Sequence, residues 1–233
     1  MQNFIINDTE INVFLPTERQ PENLVWYTFP DNLTEAQNLA QLLPHHIVVA
    51  IFEREWEHHF TPWAAPRLFK KGADFGGNAA EYYADLLTQI VPQIEQKCGF
   101  QAAYRGILGY SLAGLMAMYG AYTQPFFDVI ACVSGSLWFD GWTDFAAKNT
   151  PAQLPRAVYF SLGDQEANTH NQRMAQVQIA TEYTVKLWQQ YDLPVYFEIN
   201  QGGHFDNVVQ RLARAAWVLS GSLKTERTSI CHP

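Results

Sequence analysis

Cysteine is scarce in this chain. Cys98, Cys132 and Cys231 are scattered, odd in number and form no C-x-x-C pair, so neither a disulfide framework nor a zinc ribbon fits. A basic block is missing as well. The formal charge of −8 leaves no electrostatic footprint for a phosphate backbone or an anionic leaflet, which excludes nucleic acid and membrane as partners. No stretch approaches the roughly 20 apolar residues of a membrane span. Residues 1–8 lack the positive region and apolar run of a signal peptide, so a cytoplasmic protein is expected. Internal repeats, low-complexity tracts and Pro/Gly/Ser linkers are absent too. The 233 residues, 48% of them apolar and 16% charged, are therefore expected to form a single domain over 1–233 with a real core.

What is present is an alternation. Short apolar, β-branched runs recur at 11–15, 24–28, 47–52, 106–110, 129–133, 157–162 and 195–199. The later ones are nearly continuous, as in strands buried on both faces of a parallel sheet. Between them, 79–97, 174–190 and 207–219 repeat apolar residues at helical spacing, with Asp206 placed to cap the last helix. Strands alternating with helices predict an α/β fold, a mostly parallel twisted sheet with helices on both faces. One stretch breaks the rhythm. Residues 53–78 form a long connection rich in Trp, His, Arg and Gly, and loops of that length are usually functional. Its aromatics Trp56, Phe60, Trp63 and Phe69 predict an ordered loop that covers something.

The chemistry-bearing segment is Gly109-Tyr110-Ser111-Leu112-Ala113-Gly114, at the junction of a buried strand and a helix-forming run. A serine on so sharp a turn needs tiny residues two positions away on each side, because larger side chains would clash as the backbone folds back. Gly109 and Ala113 meet that need, and Gly114 lets the helix approach the sheet. The turn would expose Oγ of Ser111 and present the N–H of Leu112, at a helix N-terminus, to a developing oxyanion. Such a pentapeptide arises by chance in roughly one chain in ten, so its position at a strand-to-helix junction carries the argument.

A bare serine is a weak nucleophile and needs a base and an orienting acid, in the chain order Ser, Asp/Glu, His. His204 follows the last strand and two glycines. The other histidines have weaker cases. His45-His46 and His58-His59 lack metal spacing, His170 precedes a helix and His232 lies in the polar tail, so neither a metal nor a cofactor is expected. The acid should follow the strand at 157–162, where the chain reads Leu162-Gly163-Asp164-Gln165-Glu166. Glu166, three residues past the turn glycine, is favoured to hold the imidazole Nδ1–H, with Asp164 as the alternative acid.

These residues together resemble the putative-esterase group of α/β-hydrolases. The enterochelin (ferric-siderophore) esterase-like branch is the nearest likeness, with Ser134-Gly135-Ser136-Leu137-Trp138-Phe139-Asp140 after the elbow, Thr61-Pro62-Trp63, Gly76-Gly77-Asn78 and Gly203-His204-Phe205. The likeness runs from about residue 24 to 219 in consistent order. It implies an α/β-hydrolase fold and a second oxyanion N–H from the loop after the early strand. Relatives usually read Asp-Gly there, whereas this chain has Pro30-Asp31-Asn32, making Asp31 and Asn32 the candidate donors. Tyr110 stands where many relatives carry His, and Ala113 where they carry Gly.

In open α/β sheets, ligands bind beyond the carboxyl ends of the strands. Tyr110, Trp56, Trp63, Trp138 and Trp142 belong to segments at that edge and predict an aromatic-walled pocket, with one or two of the tryptophans lost to the core. Arg54 and Arg67, in the long loop, are candidates to meet an anionic substrate. The reading is a serine carboxylic-ester hydrolase working through an acyl-enzyme on a small or aryl ester, siderophore-like among the options. Two alternatives stand beside it: an acyltransferase on the same triad, and a non-catalytic binding protein of this fold, which would tend to have lost a triad member. The expected partner is a small-molecule ester, and the reading leaves room for a homodimer.

Overall fold

A computed structural model describes residues 1–16 and 24–225; Cys231 and His232 lie outside the described residues. Ten strands occur among them: β1 Gln2–Ile6, β2 Thr9–Phe14, β3 Leu24–Thr28, β4 Ile47–Phe52, β5 Ala64–Ala65, β6 Phe75–Gly76, β7 Tyr104–Tyr110, β8 Val129–Val133, β9 Ala157–Gly163 and β10 Val195–Asn200. Eight build one sheet in the order β1-β2-β4-β3-β7-β8-β9-β10. From β4 to β10 every neighbouring pair is parallel, while β1 and β2 form an antiparallel hairpin that pairs antiparallel with β4. The α/β expectation holds, and each of the seven predicted runs is a strand. β1 escaped the sequence reading: its Gln2 and Asn3 dilute the apolar signal. It is recruited by a two-residue turn, Asn7-Asp8, with both residues at positive φ, the geometry that matches strand twist.

The helices are α1 Leu33–Leu42, α2 Trp56–His59, α3 Ala79–Asp85, α4 Val91–Cys98, α5 Leu112–Thr123, α6 Trp142–Lys148, α7 Val177–Trp188 and α8 Val208–Thr225. Period-2 alternation sends strand side chains to two separate cores. Val25 and Tyr27 of β3 belong to the core on the face covered by α3 to α7, whereas Leu24 and Trp26 belong to the core on the other face, with α1 and α8. Residues 79–98 run as one rod, with a wider turn, Leu86–Ile90, between α3 and α4. Pro92 explains that turn: it has no N–H to give to Thr88, and its ring would crowd the Thr88 carbonyl in a regular helix. α5 is apolar all round and almost wholly buried, as befits the helix leaving the middle of the sheet.

Residues 53–78 are ordered by short-range bonds rather than by length of element. Glu53 accepts the N–H groups of Arg54 and Glu55, each at 2.8 Å, and starts α2. Thr61, fully buried, accepts the Gly77 N–H on its hydroxyl and the Ala79 N–H on its carbonyl, both at 3.0 Å. β5 and β6 pair antiparallel across the same stretch. Gly77 sits at φ +80, and a Cβ there would fall 2.3 Å from the backbone of Trp63 and Ala64. Gly77→Ala should therefore cost about 1–3 kcal/mol of stability and lower the thermal midpoint. Gly72→Ala, at positive φ but with open space around it, should cost less in the same thermal unfolding experiment.

Candidate active site

β7 ends at Tyr110, and Ser111 turns the chain into α5 with φ 56 and ψ −123, a conformation that costs a non-glycine residue of order 1–3 kcal/mol. Neighbouring backbone holds it there. The Ser111 N–H donates to Val133 O at 3.2 Å, and Ser136 N–H donates to Ser111 O at 2.9 Å. Gly109 is the strict requirement of this turn, since a Cβ on it would lie 2.3 Å from Ala113 O. Gly114 has a gentler demand: its Cβ would meet the Gly135 Cα at 3.0 Å, so it lets α5 approach the loop after β8. Leu112 opens α5, so its N–H has no acceptor within the helix.

Three side chains from three connections meet in a row. His204 Nε2 lies 3.0 Å from Ser111 Oγ, and His204 Nδ1 lies 2.8 Å from Glu166 Oε2. The histidine loop takes its shape from the glycines before it. Gly202 has φ +104, and the Gly203 N–H donates to Asp206 Oδ2 at 2.7 Å. Asp206 thus serves this loop; it does not cap α8, which begins after Asn207, a residue at φ 56. Tyr110 adds a tie, its hydroxyl donating to the His204 carbonyl.

The two candidate acids have different surroundings. The Glu166 side chain is 3% exposed, and its Oε1 accepts from Ser134 Oγ at 2.7 Å, Gly163 N–H at 2.6 Å and Arg211 Nη1 at 3.1 Å. Burial by itself would push this carboxyl up; hydrogen bonds from His204, Ser134 and the Gly163 N–H outweigh it and hold the group below the usual carboxylate range. Asp164 is exposed and has a different partner: its Oδ1 accepts the Gly202 N–H at 2.9 Å, pinning the histidine loop to the acid loop. Arg211, from the first turn of α8, was not singled out by the sequence reading. A lone arginine at the start of an amphipathic helix looks like any solvated one, and only the packing of α8 buries it to 2%.

Two clefts open on Ser111. One, of about 310 Å³, is walled by Leu68, Phe75, Trp138, Met174 and Val177, with Arg67 and Lys71 at its rim. Arg173 holds that wall together, lying 5.9 and 5.8 Å over the rings of Phe75 and Trp138 while it pairs with Asp140 at 2.8 Å and donates to Pro66 O. The other, of about 360 Å³, is lined by Phe29, Asp31, Glu35, Arg54, Trp56 and Tyr110. Trp56, Trp138, Tyr110, Arg54 and Arg67 of the predicted pocket thus border one cleft or the other. Trp63 and Trp142 do not. Trp142 is fully buried with its indole N–H on Thr184, and Trp63 donates to Asp140 O while packing on Phe139 and Phe145. The loop after β3 carries the two candidate oxyanion donors. Asn32 is extended at φ −157 and uses its side chain to cap α1 through the Glu35 N–H, at 3.0 Å. Asp31 borders the second cleft, and its N–H donates to Glu35 Oε2 at 3.3 Å. Burial pushes that Glu35 carboxyl up.

Glu166→Gln should lower kcat by about 10²- to 10⁴-fold, and Asp164→Asn by less than about tenfold. The depressed Glu166 carboxyl has a second consequence. A carboxylate held below its unfolded value of about 4.3 stabilises the fold above that pH, and the contribution fades as pH falls through the folded value. The stability gap between the native chain and Glu166→Gln should therefore be full at pH 7 and shrink below about pH 4, as measured by denaturant unfolding across that range.

The model of the putative esterase family matches residues 7–218. Among curated proteins, the uncharacterized protein YbbA of Bacillus subtilis is 29% identical over 137 residues, which are 58% of this chain and 55% of that protein; the chain thus spans about half the length of this relative. Among solved structures, an IroE-like serine hydrolase from Shewanella oneidensis superposes with a TM-score of 0.76 at 18% identity, covering 91% of this chain and 75% of that one. The siderophore hydrolase EstA from Aspergillus nidulans gives 0.73 at 17%, covering 91% and 90%. At such identities these structures speak for the fold, which is that of the α/β-hydrolases. Because the family match takes in almost the whole sheet, from β2 to the middle of α8, the chain belongs to the putative esterase family.

Proposed function

We propose that the protein is a serine carboxylic-ester hydrolase, with Ser111 as nucleophile, His204 as base and Glu166 as the acid that orients it. The observation that carries this reading is the unbroken relay of 3.0 and 2.8 Å from Ser111 Oγ through the imidazole to Glu166. In the reaction, His204 Nε2 takes the Ser111 proton as Oγ attacks the ester carbonyl. The carbonyl oxygen becomes an oxyanion facing the Leu112 N–H, with a second donor from the Asp31 loop. The tetrahedral intermediate collapses, the C–O bond to the alcohol breaks, and His204 returns its proton to the departing oxygen. Water, deprotonated by His204, then attacks the acyl-enzyme and frees the acid and Ser111.

The ionised Glu166 stabilises the imidazolium that forms at both steps, and the burial of the relay strengthens that effect. The apolar cleft beside Ser111, with Phe75 and Trp138 in its walls, favours an aryl or other apolar group on one side of the scissile bond. A siderophore-type ester fits that description, and siderophore hydrolysis is named for EstA, which shares the fold. We place the whole chain in this role as one catalytic domain.

A fluorophosphonate should label Ser111 and no other serine, as read by peptide mass mapping, and Ser111→Ala should lose roughly 10⁴- to 10⁶-fold in kcat with the fold intact. Labelling elsewhere, or an active alanine variant, would sink the assignment. Including an alcohol acceptor in the same assays separates water from alcohol as the second substrate: free acid alone supports the hydrolase, and a transferred ester supports the acyltransferase.

A further inference from the structure

The Glu166 carboxylate has a second partner that the ester-hydrolase reading does not use. Arg211 is buried to 2%, and its Nη1 lies 3.1 Å from both Glu166 Oε1 and Ser134 Oγ and 3.5 Å from the Tyr110 hydroxyl. Its Nη2 donates to Gln201 O at 3.0 Å. The Tyr110 hydroxyl in turn donates to His204 O. One guanidinium therefore touches the acid, Ser134 in the loop after β8, the strand end that delivers the serine, and, directly or through Tyr110, the histidine loop on both sides of Gly202-Gly203. These four segments come from separate parts of the chain and meet at this sheet edge.

A buried ion pair is a poor device for stability, because desolvation consumes most of its attraction and an apolar side chain of similar volume does as well. An arginine has two properties that an apolar replacement lacks. Its planar fork donates from two nitrogens in fixed directions, here Nη1 to the Glu166 carboxylate and Nη2 to the Gln201 carbonyl, tying the acid to the histidine loop, and its charge opposes that of the carboxylate at any third group nearby. We propose that Arg211 is a positioning residue for the triad, holding Glu166 in the rotamer that faces His204 and offsetting the negative charge that Glu166 presents to the imidazole. This rests on the Ser111–His204–Glu166 reading above.

The offset matters because a base must be free of its proton between turnovers and must release it to the leaving alcohol within one. An unopposed buried carboxylate would hold the proton on the ring. The other charged or titratable groups around His204 are Tyr110 from β7, Asp164 from the acid loop and Asp206 from its own loop. Glu57, Arg67 and Lys71 share the first cleft with it, and Asp31, Glu35 and Arg54 the second. Tyr110 stays neutral because burial pushes its hydroxyl up, and burial pushes the half-buried Glu35 carboxyl up as well; the others are exposed and screened. Glu166 and Arg211 are the buried, fully charged pair among them.

The test compares the native chain with Arg211→Gln and Arg211→Lys, each active-site-titrated with a fluorophosphonate and assayed on a small ester across pH 5–9. Arg211→Gln should lose about 10- to 100-fold in kcat with KM changed less than about threefold, and its kcat/KM should rise about one pH unit later than native. Arg211→Lys, which keeps the charge without the fork, should restore the native position of that rise and recover part of kcat. In a Glu166→Gln background, Arg211→Gln should add less than about threefold, since its effect runs through that carboxylate. An unmoved pH profile in Arg211→Gln, or a full loss in the Glu166→Gln background, would overturn the proposal. If Arg211→Gln does not fold, Arg211→Lys decides: a lowered kcat on an unmoved profile supports the fork, and native kcat overturns it. Native enzyme that hydrolyses esters without labelling at Ser111 would instead remove the triad reading beneath the proposal.

Discussion

A carboxylate with a 3%-exposed side chain has to remain ionised, and much of the architecture at the sheet edge answers to that constraint. Burial drives Glu166 toward neutrality, so every lone pair it keeps must meet a donor. Ser134 can donate because β8 lies beside β9 and its following loop turns back at positive φ. The Gly163 N–H can donate because the acid loop is a tight return from the end of β9. Arg211 reaches the same oxygen because α8 packs across β7, β8 and β9 on the face opposite α5. The imidazole completes the set. Strand order, a left-handed serine and a helix register thus converge on one anion.

The serine is held by a different balance. Its positive φ costs energy that backbone bonds to Val133 and from Ser136 offset, and the close backbone approach at Gly109 makes the turn sterically available. Strain is thus stored where the side chain must stand clear of the sheet, and β8 supplies the frame for both Ser111 and Ser134. The covering segment 53–78 is a separate solution to a separate problem. Having almost no long elements, it relies on Thr61, Glu53 and the Arg173 clamp to present an apolar wall next to a polar relay.

Much of this could be read from the chain alone. The nucleophile elbow, the Gly-Gly-His after the last strand and the acid turn after the preceding one are local patterns, because a sharp turn needs small residues at fixed offsets and a parallel sheet sets the order of its connections. The choice of Glu166 over Asp164 rested on reach past the turn glycine, and the two carboxylates do point to different partners, His204 and Gly202. Which of the tryptophans would be core stays open in the sequence, because competition for burial is not displayed there. Trp142 is core because α7 brings Thr184 to its indole N–H, and Trp63 packs on Phe139 and Phe145 instead of facing a cleft.

What the sequence by itself determined, then, is the class of fold, and it narrowed the candidate site to Ser111, His204 and one of two neighbouring acids, since both follow from spacing along the chain. Tertiary structure alone decided which tryptophans face a cleft, how the covering segment is pinned, and that a helical arginine is sealed against the acid. Burial and long-range hydrogen bonding are properties of packing. An arginine at 211 spells the same in solvent as it does 3.1 Å from a buried carboxylate.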